Sequence, residues 1–337
     1  MAKTDKLSRE IAHLRGLTDD APEIRPLFHV FNDDGKVLGY ETLSGDWVKE
    51  PGQDDVVFTI TRRMLDLLNS GSRFIIAEGG RGGGKSVSIG SYLIARAIAK
   101  QERILCIREI QISIRYSVKA ELEALIDERP KLGHFFDVQR DAIIGHNGSE
   151  FLFKGMRDHS ADSVRSFAGV SLAWVEEGQT ITRRSWDVLT PTIRKPRSQI
   201  LVSMNRRHES DPIYRDFVAD SHPLASVGRF LLWQNPWTTA ENLAEAEALR
   251  RTNFERWSHV WDGQIETLSD IRILDNWSIE DFDIEKILKE RIKLVRVGVH
   301  GYREEREARY RKAVAKIEKD FHIGVDFGFR DPTAGNR

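Results

Sequence analysis

One cysteine, Cys106, is all this 337-residue chain contains, so neither an intramolecular disulfide nor a cysteine-rich zinc site is available to it. It lies in the apolar run Arg103-Ile104-Leu105-Cys106-Ile107-Arg108, and the expected reading is a buried, inert thiol. No apolar run approaches the ~18 residues of a membrane span. The N-terminus, Met1-Ala2-Lys3-Thr4-Asp5-Lys6, lacks the apolar core of a signal peptide. These absences point to the cytosol and to no membrane partner. Charge of one sign is also missing: the net charge is −1, so the whole chain is not a basic sleeve for nucleic acid. Repeats and low-complexity tracts are absent. What remains, 40% hydrophobic and 31% charged residues, is the balance of a soluble globular protein.

What the chain does have is Gly79-Gly80-Arg81-Gly82-Gly83-Gly84-Lys85-Ser86, which fits the phosphate-loop pattern G-x-x-x-x-G-K-[ST] at every required position. Glycines let the backbone turn and bring N–H groups up to phosphate oxygens. Lys85 is placed to reach the β- and γ-phosphates, and the Ser86 hydroxyl to ligate Mg²⁺. The helix opening here adds its positive end beneath the anion. Phe74-Ile75-Ile76-Ala77 before the loop reads as a buried strand, and Val87–Lys100 after it has helical apolar spacing. The stretch Gly79–Val87 is therefore the expected binding site for ATP with Mg²⁺.

Along the rest of the chain, residues 1–56 read as an N-terminal arm with a small hairpin across Leu27–Tyr40, turned at Asn32-Asp33-Asp34-Gly35. Residues 57–73 show a helical pattern ended by Asn69-Ser70-Gly71. Strands are expected at 74–78, 103–108, 150–154, 171–176 and 199–204, and helices at 85–100, 117–128, 183–189 and 211–220. This alternation predicts an α/β phosphate-loop NTPase fold of the RecA, additional-strand type: a mostly parallel sheet with helices on both faces. Phe230–Trp233 reads as a last core strand and 240–257 as one helix. Residues 280–320 are densely charged, with an amphipathic helix expected at 302–319. The expected organisation is an arm (1–56), a motor domain (57–265), a linker subdomain with the charged helix (266–320) and the beginning of a further domain (321–337).

Hydrolysis needs an acid from a second strand. Ser171-Leu172-Ala173-Trp174-Val175-Glu176-Glu177 supplies two, at the end of a buried strand and so at the sheet's carboxyl edge, where ligands of open α/β sheets bind. Glu176 is the expected Mg²⁺ ligand and Glu177 the general base. A later strand ends in Ser203-Met204-Asn205, and Ser203 and Asn205 are candidates to sense the γ-phosphate or its attacking water. Residues 181–215 carry eight Lys/Arg against three acids. That surplus is either a DNA path or an ordinary solvated surface.

Together, Gly80–Ser86, Trp174-Val175-Glu176-Glu177, the coupling segment Ser203-Met204-Asn205 with Asp211–Phe217 after it, the strand Ile104–Arg108 with Ile114–Val118, and Trp261-Asp262-Gly263 resemble the large terminase subunit of tailed bacteriophages. The resemblance implies an ATP-driven motor that moves double-stranded viral DNA into a procapsid. It implies as partners the portal protein, a small terminase subunit and further copies of the chain in a ring, with the host cytoplasm as location. It also implies an arginine finger, for which Arg165 ranks first, Arg81 second, and Arg115 is a further candidate. His322–Ala334 is similar to the first strand of the family's RNase H-like nuclease domain, with Asp326 as its first metal ligand. One strand does not supply the carboxylates of a two-metal site, so nuclease activity is expected to be absent from this chain. The alternative from the motifs alone is another DNA-dependent phosphate-loop ATPase, such as a helicase or repair ATPase.

Overall fold

The computed structural model describes residues 24–110, 114–156, 167, 169–266, 324–325 and 335–336. It divides into two units, Met1–Arg272 and Ile273–Arg337.

The first unit opens with four strands: β1 (Arg25–Phe31), β2 (Val37–Thr42), β3 (Trp47–Val48) and β4 (Asp55–Thr61). They form a sheet in the order β3-β2-β1-β4, in which β1 and β4 run parallel. The β1–β2 hairpin turns where the sequence predicts. Asn32 Oδ1 accepts the N–H groups of Asp34 and Lys36, and Gly35 takes the positive φ of 78°. Residues 57–61 correct the helix expected from residue 57. Val56, Phe58 and Ile60 are strand formers whose period-2 burial wins over the helical spacing that begins at Met64. The helix α1 starts only at Arg62 (Arg62–Leu68), with the Thr61 hydroxyl as N-cap. Strand β4 thus runs across the boundary expected at residue 57.

The main sheet follows: β5 (Phe74–Glu78), then α2 (Lys85–Ala99), β6 (Arg103–Arg108), α3 (Ala120–Asp127), α4 (Pro130–Phe135), β7 (Phe136–Val138), β8 (Ala142–Gly145), β9 (Glu150–Gly155), β10 (Leu172–Glu176), α5 (Arg183–Thr192), β11 (Gln199–Met204) and β12 (Ala225–Arg229). Its order is β12-β5-β11-β10-β6-β9-β8-β7. The first six in that order pair parallel, while β8 and β7 add an antiparallel extension. Period-2 alternation gives both faces something to bury. Ile75, Cys106, Trp174 and Leu201 face one apolar cluster, shared with α2, α3 and the small sheet; Ile76, Leu105, Val175 and Val202 face the other, shared with Trp186 and Phe217. Cys106 is fully buried, as expected.

Three local expectations change. Phe230–Trp233 is not the last strand: β12 ends at Arg229, and Leu232–Gln234 forms a short helical turn. Residues 240–257 divide into α6 (Ala240–Thr252) and α7 (Phe254–Val260), broken at Asn253, whose φ of −151° leaves the helical region while its side chain caps α7. The helix expected at 211–220 is a wide-coiled turn at Tyr214–Ala219, and Arg115–Lys119 before α3 is wound the same way.

In the second unit, β13 (Gly324–Val325) pairs antiparallel with β14 (Gly335–Asn336). Asp326, Arg165 and the helix expected at 302–319 lie outside the described residues, as does the side chain of Arg115.

Candidate active site

The site is set by strand register. Parallel pairing aligns Glu176 of β10 with Ser203 of β11, and Ser203 with Ala77 of β5. On the other side Val175 sits beside Ile107, so Arg108 and Glu176 end adjacent strands. The chain leaves β5 directly into the glycine loop. All these groups therefore meet at the carboxyl edge, around a cleft of about 500 Å³ lined by Arg81–Val87, Glu176, Glu177, Gln179, Ser203 and Asn205, with Asn235 and Trp237 at its far wall.

The loop requires its glycines. Gly79, Gly82 and Gly84 take φ of 135°, 75° and 71°, closed to most residues. Gly80 has no room for a Cβ, which would fall inside the radius of the Trp261 carbonyl oxygen. Main-chain bonds lock the loop from behind: Phe230 N–H donates to Glu78 O at 2.8 Å and Arg81 N–H to Val260 O at 2.8 Å. Asn235 Nδ2 donates to Gly82 O at 2.8 Å. Gly263 backs onto Gly79 and Gly80 so closely that it too excludes a Cβ. The segment after β12, including Trp261-Asp262-Gly263, thus clasps the phosphate loop.

Lys85 is buried and donates to Gly80 O at 2.5 Å and Gly79 O at 3.2 Å. Burial pulls its ammonium down to about 8, against the pull of the Glu78 and Glu176 charges. No side chain caps α2, whose N-cap is Gly84, so its first N–H groups are not taken by a capping side chain. A buried cation held only by carbonyls, beside an uncapped helix start, fits a polyphosphate.

Of the paired acids, Glu176 is the more buried. Burial raises its carboxyl above the ordinary range, with Arg108 and Lys85 pulling the other way. Its Oε2 is 2.7 Å from Arg108 Nε but accepts no well-aligned hydrogen bond, leaving a buried oxygen short of a donor. That oxygen, in the cleft that Ser86 also lines, fits a divalent cation or its water. Glu177 follows in the left-handed region at φ 54°. This bend brings its half-exposed carboxylate back onto another nitrogen of Arg108. Glu121 on α3 is pushed up to about 7 by its own burial and by the charge on Glu176.

Ser203 is buried, and its Oγ accepts the indole N–H of Trp174 at 3.0 Å. Asn205 N–H donates to Gln179 Oε1 at 3.2 Å, tying the end of β11 to the turn after the paired acids. Arg81 is exposed at the cleft mouth. Sequence reasoning missed Arg108 and the pair of Arg206 with the buried Glu78, which is bidentate at 2.9 and 2.8 Å and joins the residue after Asn205 to the one before Gly79. The signal was present: both Arg108 and Glu78 are charged residues closing an otherwise apolar strand at the carboxyl edge.

The family model described as phage terminase large subunit matches residues 72–264, more than half of the chain. This chain belongs to the phage terminase large subunit family. Among solved structures, the large terminase of a thermophilic bacteriophage in complex with ADP is similar in fold (TM-score 0.50, 13% identity, covering 61% of this chain and 53% of that one). Also similar are the same phage's terminase with ATP-gamma-S (TM-score 0.48, 12% identity, 60% and 52% covered) and the HK97 bacteriophage large terminase (TM-score 0.46, 14% identity, 59% and 48% covered). The chain spans about half the length of these relatives. No curated protein sequence matches it. The matched region of this chain includes Gly79–Ser86, Glu176 and Glu177, Ser203–Asn205 and the clasp that ends at Gly263.

Proposed function

We propose that this chain is the ATP-hydrolysing part of a motor that drives double-stranded viral DNA into a procapsid. The observation that carries the reading is the convergence, at one sheet edge, of an uncapped glycine loop holding Lys85 with the paired acids Glu176 and Glu177. A protein that only binds nucleotide has no use for the second acid. ATP enters with its phosphates against the loop N–H groups and Lys85. Ser86 and Glu176 would hold Mg²⁺, which would supply charge neutralisation on the phosphate oxygens. Glu177 takes the proton of the attacking water, and Arg81 or Arg165 provides the finger. Arg108 holds the Glu177 carboxylate beside Glu176 and so positions the base. Asn205 and Gln179 relay the change to the coupling segment.

The portal protein, a small terminase subunit and neighbouring copies in a ring are the proposed partners, in the host cytoplasm. The test is steady-state ATP turnover by the purified chain with Mg²⁺, with and without duplex DNA and portal-bearing procapsids. DNA-stimulated turnover lost in Lys85→Ala supports the reading. Turnover equal in parent and Lys85→Ala overturns it.

A further inference from the structure

The cations of residues 181–215 do not share one face. Arg183 and Arg215 pair with Asp216, Arg206 with Glu78, and Arg207 approaches Asp211. Arg194, Lys195 and Arg197 are different. They gather at the amino edge of the main sheet, opposite the nucleotide site, with Arg73, Arg96 and Lys100, around a cavity of about 900 Å³. One acid lines it, Glu102, and that is already paired with Arg96 at 2.8 Å. Arg194, Lys195, Arg197 and Lys100 are exposed and have no ion-pair partner among the described residues.

The turn that carries them is built, not slack. Ser198 N–H donates to Lys195 O at 2.9 Å, closing a turn with Pro196 second and Arg197 third. Arg197 takes φ 60°, where glycine or asparagine is the ordinary choice. The chain thus keeps a cation at a strained position. From beneath, the half-buried Arg73 donates to Ser198 O at 2.7 Å, to Ser198 Oγ at 2.8 Å and to Ile193 O. Arg73 holds the turn and leaves the three outer cations to solvent.

We propose that this surface binds the phosphate backbone of duplex DNA, with Arg194, Lys195 and Arg197 as the contacting cations and Arg73 as the residue that positions their turn. The inference rests on the motor reading above. Its chemistry favours a nucleic-acid backbone over a protein, because among the described residues none of the exposed large apolar side chains lines the cavity, and protein interfaces draw on aromatic and apolar anchors. It favours a duplex over a single strand because no aromatic ring among the described residues lines it for a base to stack on. Strands β5, β10 and β11 connect this edge to the nucleotide site at ~3.3 Å per residue, so five- and six-residue strands separate the two surfaces.

The test is fluorescence anisotropy of the full chain on two unrelated labelled duplexes between 50 and 200 mM salt, beside ATP turnover without DNA. Each cation that no longer meets a phosphate should make the slope of log affinity against log salt shallower by about 0.9. Replacing Arg194, Lys195 and Arg197 together with alanine should flatten it by roughly 2 to 3 and weaken binding at low salt at least ~10-fold. Arg197→Gly keeps the turn while removing its cation, and should flatten the slope by about 0.9 with no fall in melting temperature. DNA-free turnover should be unchanged in both variants. Superimposable salt curves for parent and variants overturn the assignment, as does a parent affinity indifferent to salt. If millimolar inorganic phosphate or polyglutamate binds the parent but not the triple variant, while duplex affinity stays equal, the surface is for a free anion or an acidic protein and the DNA assignment falls. A parent that hydrolyses no ATP fails the motor reading itself; a parent that hydrolyses ATP while its variants bind DNA normally fails only this surface.

Discussion

Arg108 spends its fork on both paired acids. Nε lies 2.7 Å from Glu176, another nitrogen meets Glu177, and Nη1 donates to Ser117 at 3.1 Å. A lysine cannot reproduce that planar fork. Arg108→Lys should therefore lower kcat several-fold with KM for ATP nearly constant, and Arg108→Ala should lower it further. Steady-state kinetics beside a melting curve checks this, since a purely structural role predicts a fall in melting temperature with kcat retained. Glu177→Gln removes only the proposed base: nucleotide affinity should stay and turnover fall by ~10²–10⁴. Glu176→Gln should instead weaken the Mg²⁺ dependence, and swapped phenotypes would exchange the two roles. Lys85, Ser86, Glu176 and Glu177 were legible in the sequence because each belongs to a short contiguous string with its own chemistry. Arg108 and Glu78 were marked only as charged ends of apolar strands and Arg206 not at all, and what brings them together at the site is the strand order β5-β11-β10-β6, which no local pattern encodes.

At the scale of elements, the buried parallel strands were legible from apolar runs bounded by loops, and β10 and β11 fall where expected. The missed strands share a cause. β4 and the short strands β7 and β8 gain their stability from partners: β1 for the first, each other and β9 for the rest. Segments of this kind are weakly marked in sequence. The β1–β4 pairing has a checkable clamp at its start. Arg25 donates to Asp55 at 2.7 and 2.8 Å, and Gly52 N–H donates to the same carboxylate at 2.6 Å. The Arg25 hydrogen bond holds the Asp55 carboxyl below its ordinary value despite some desolvation. A carboxyl depressed on folding stabilises above its unfolded value and loses that contribution as pH falls through the folded one. Asp55→Asn should therefore lower the melting temperature near neutral pH, and the gap to the parent should close as pH drops below roughly 4. Circular-dichroism melts across pH 2–7 measure it, and a gap that does not change with pH would exclude the clamp.

At the scale of the molecule, the clasp makes nucleotide binding a global event. The loop is gripped by residues 230–263 through main-chain contacts that leave no room for a Cβ at Gly79, Gly80 or Gly263, so whatever orders the loop also orders the segment running through α6 and α7. A ligand that binds only the folded state adds RT ln(1 + [L]/Kd), about 2.7 kcal/mol at a hundredfold excess over Kd. For a domain of this size each kcal/mol moves the melting temperature by about 2–4 °C. A non-hydrolysable ATP analogue with Mg²⁺ should thus raise the midpoint by roughly 5–10 °C. Chelating the metal should remove much of that shift, because Ser86 and Glu176 would lose the charge they share with the phosphates. Lys85→Ala should show almost none. Gly80→Ala discriminates best: its methyl meets the Trp261 carbonyl rather than the nucleotide. It should lower the melting temperature without ligand and blunt the ligand-induced rise. A Gly80→Ala protein that melts like the parent and shifts fully with nucleotide would show that the clasp does not grip the loop.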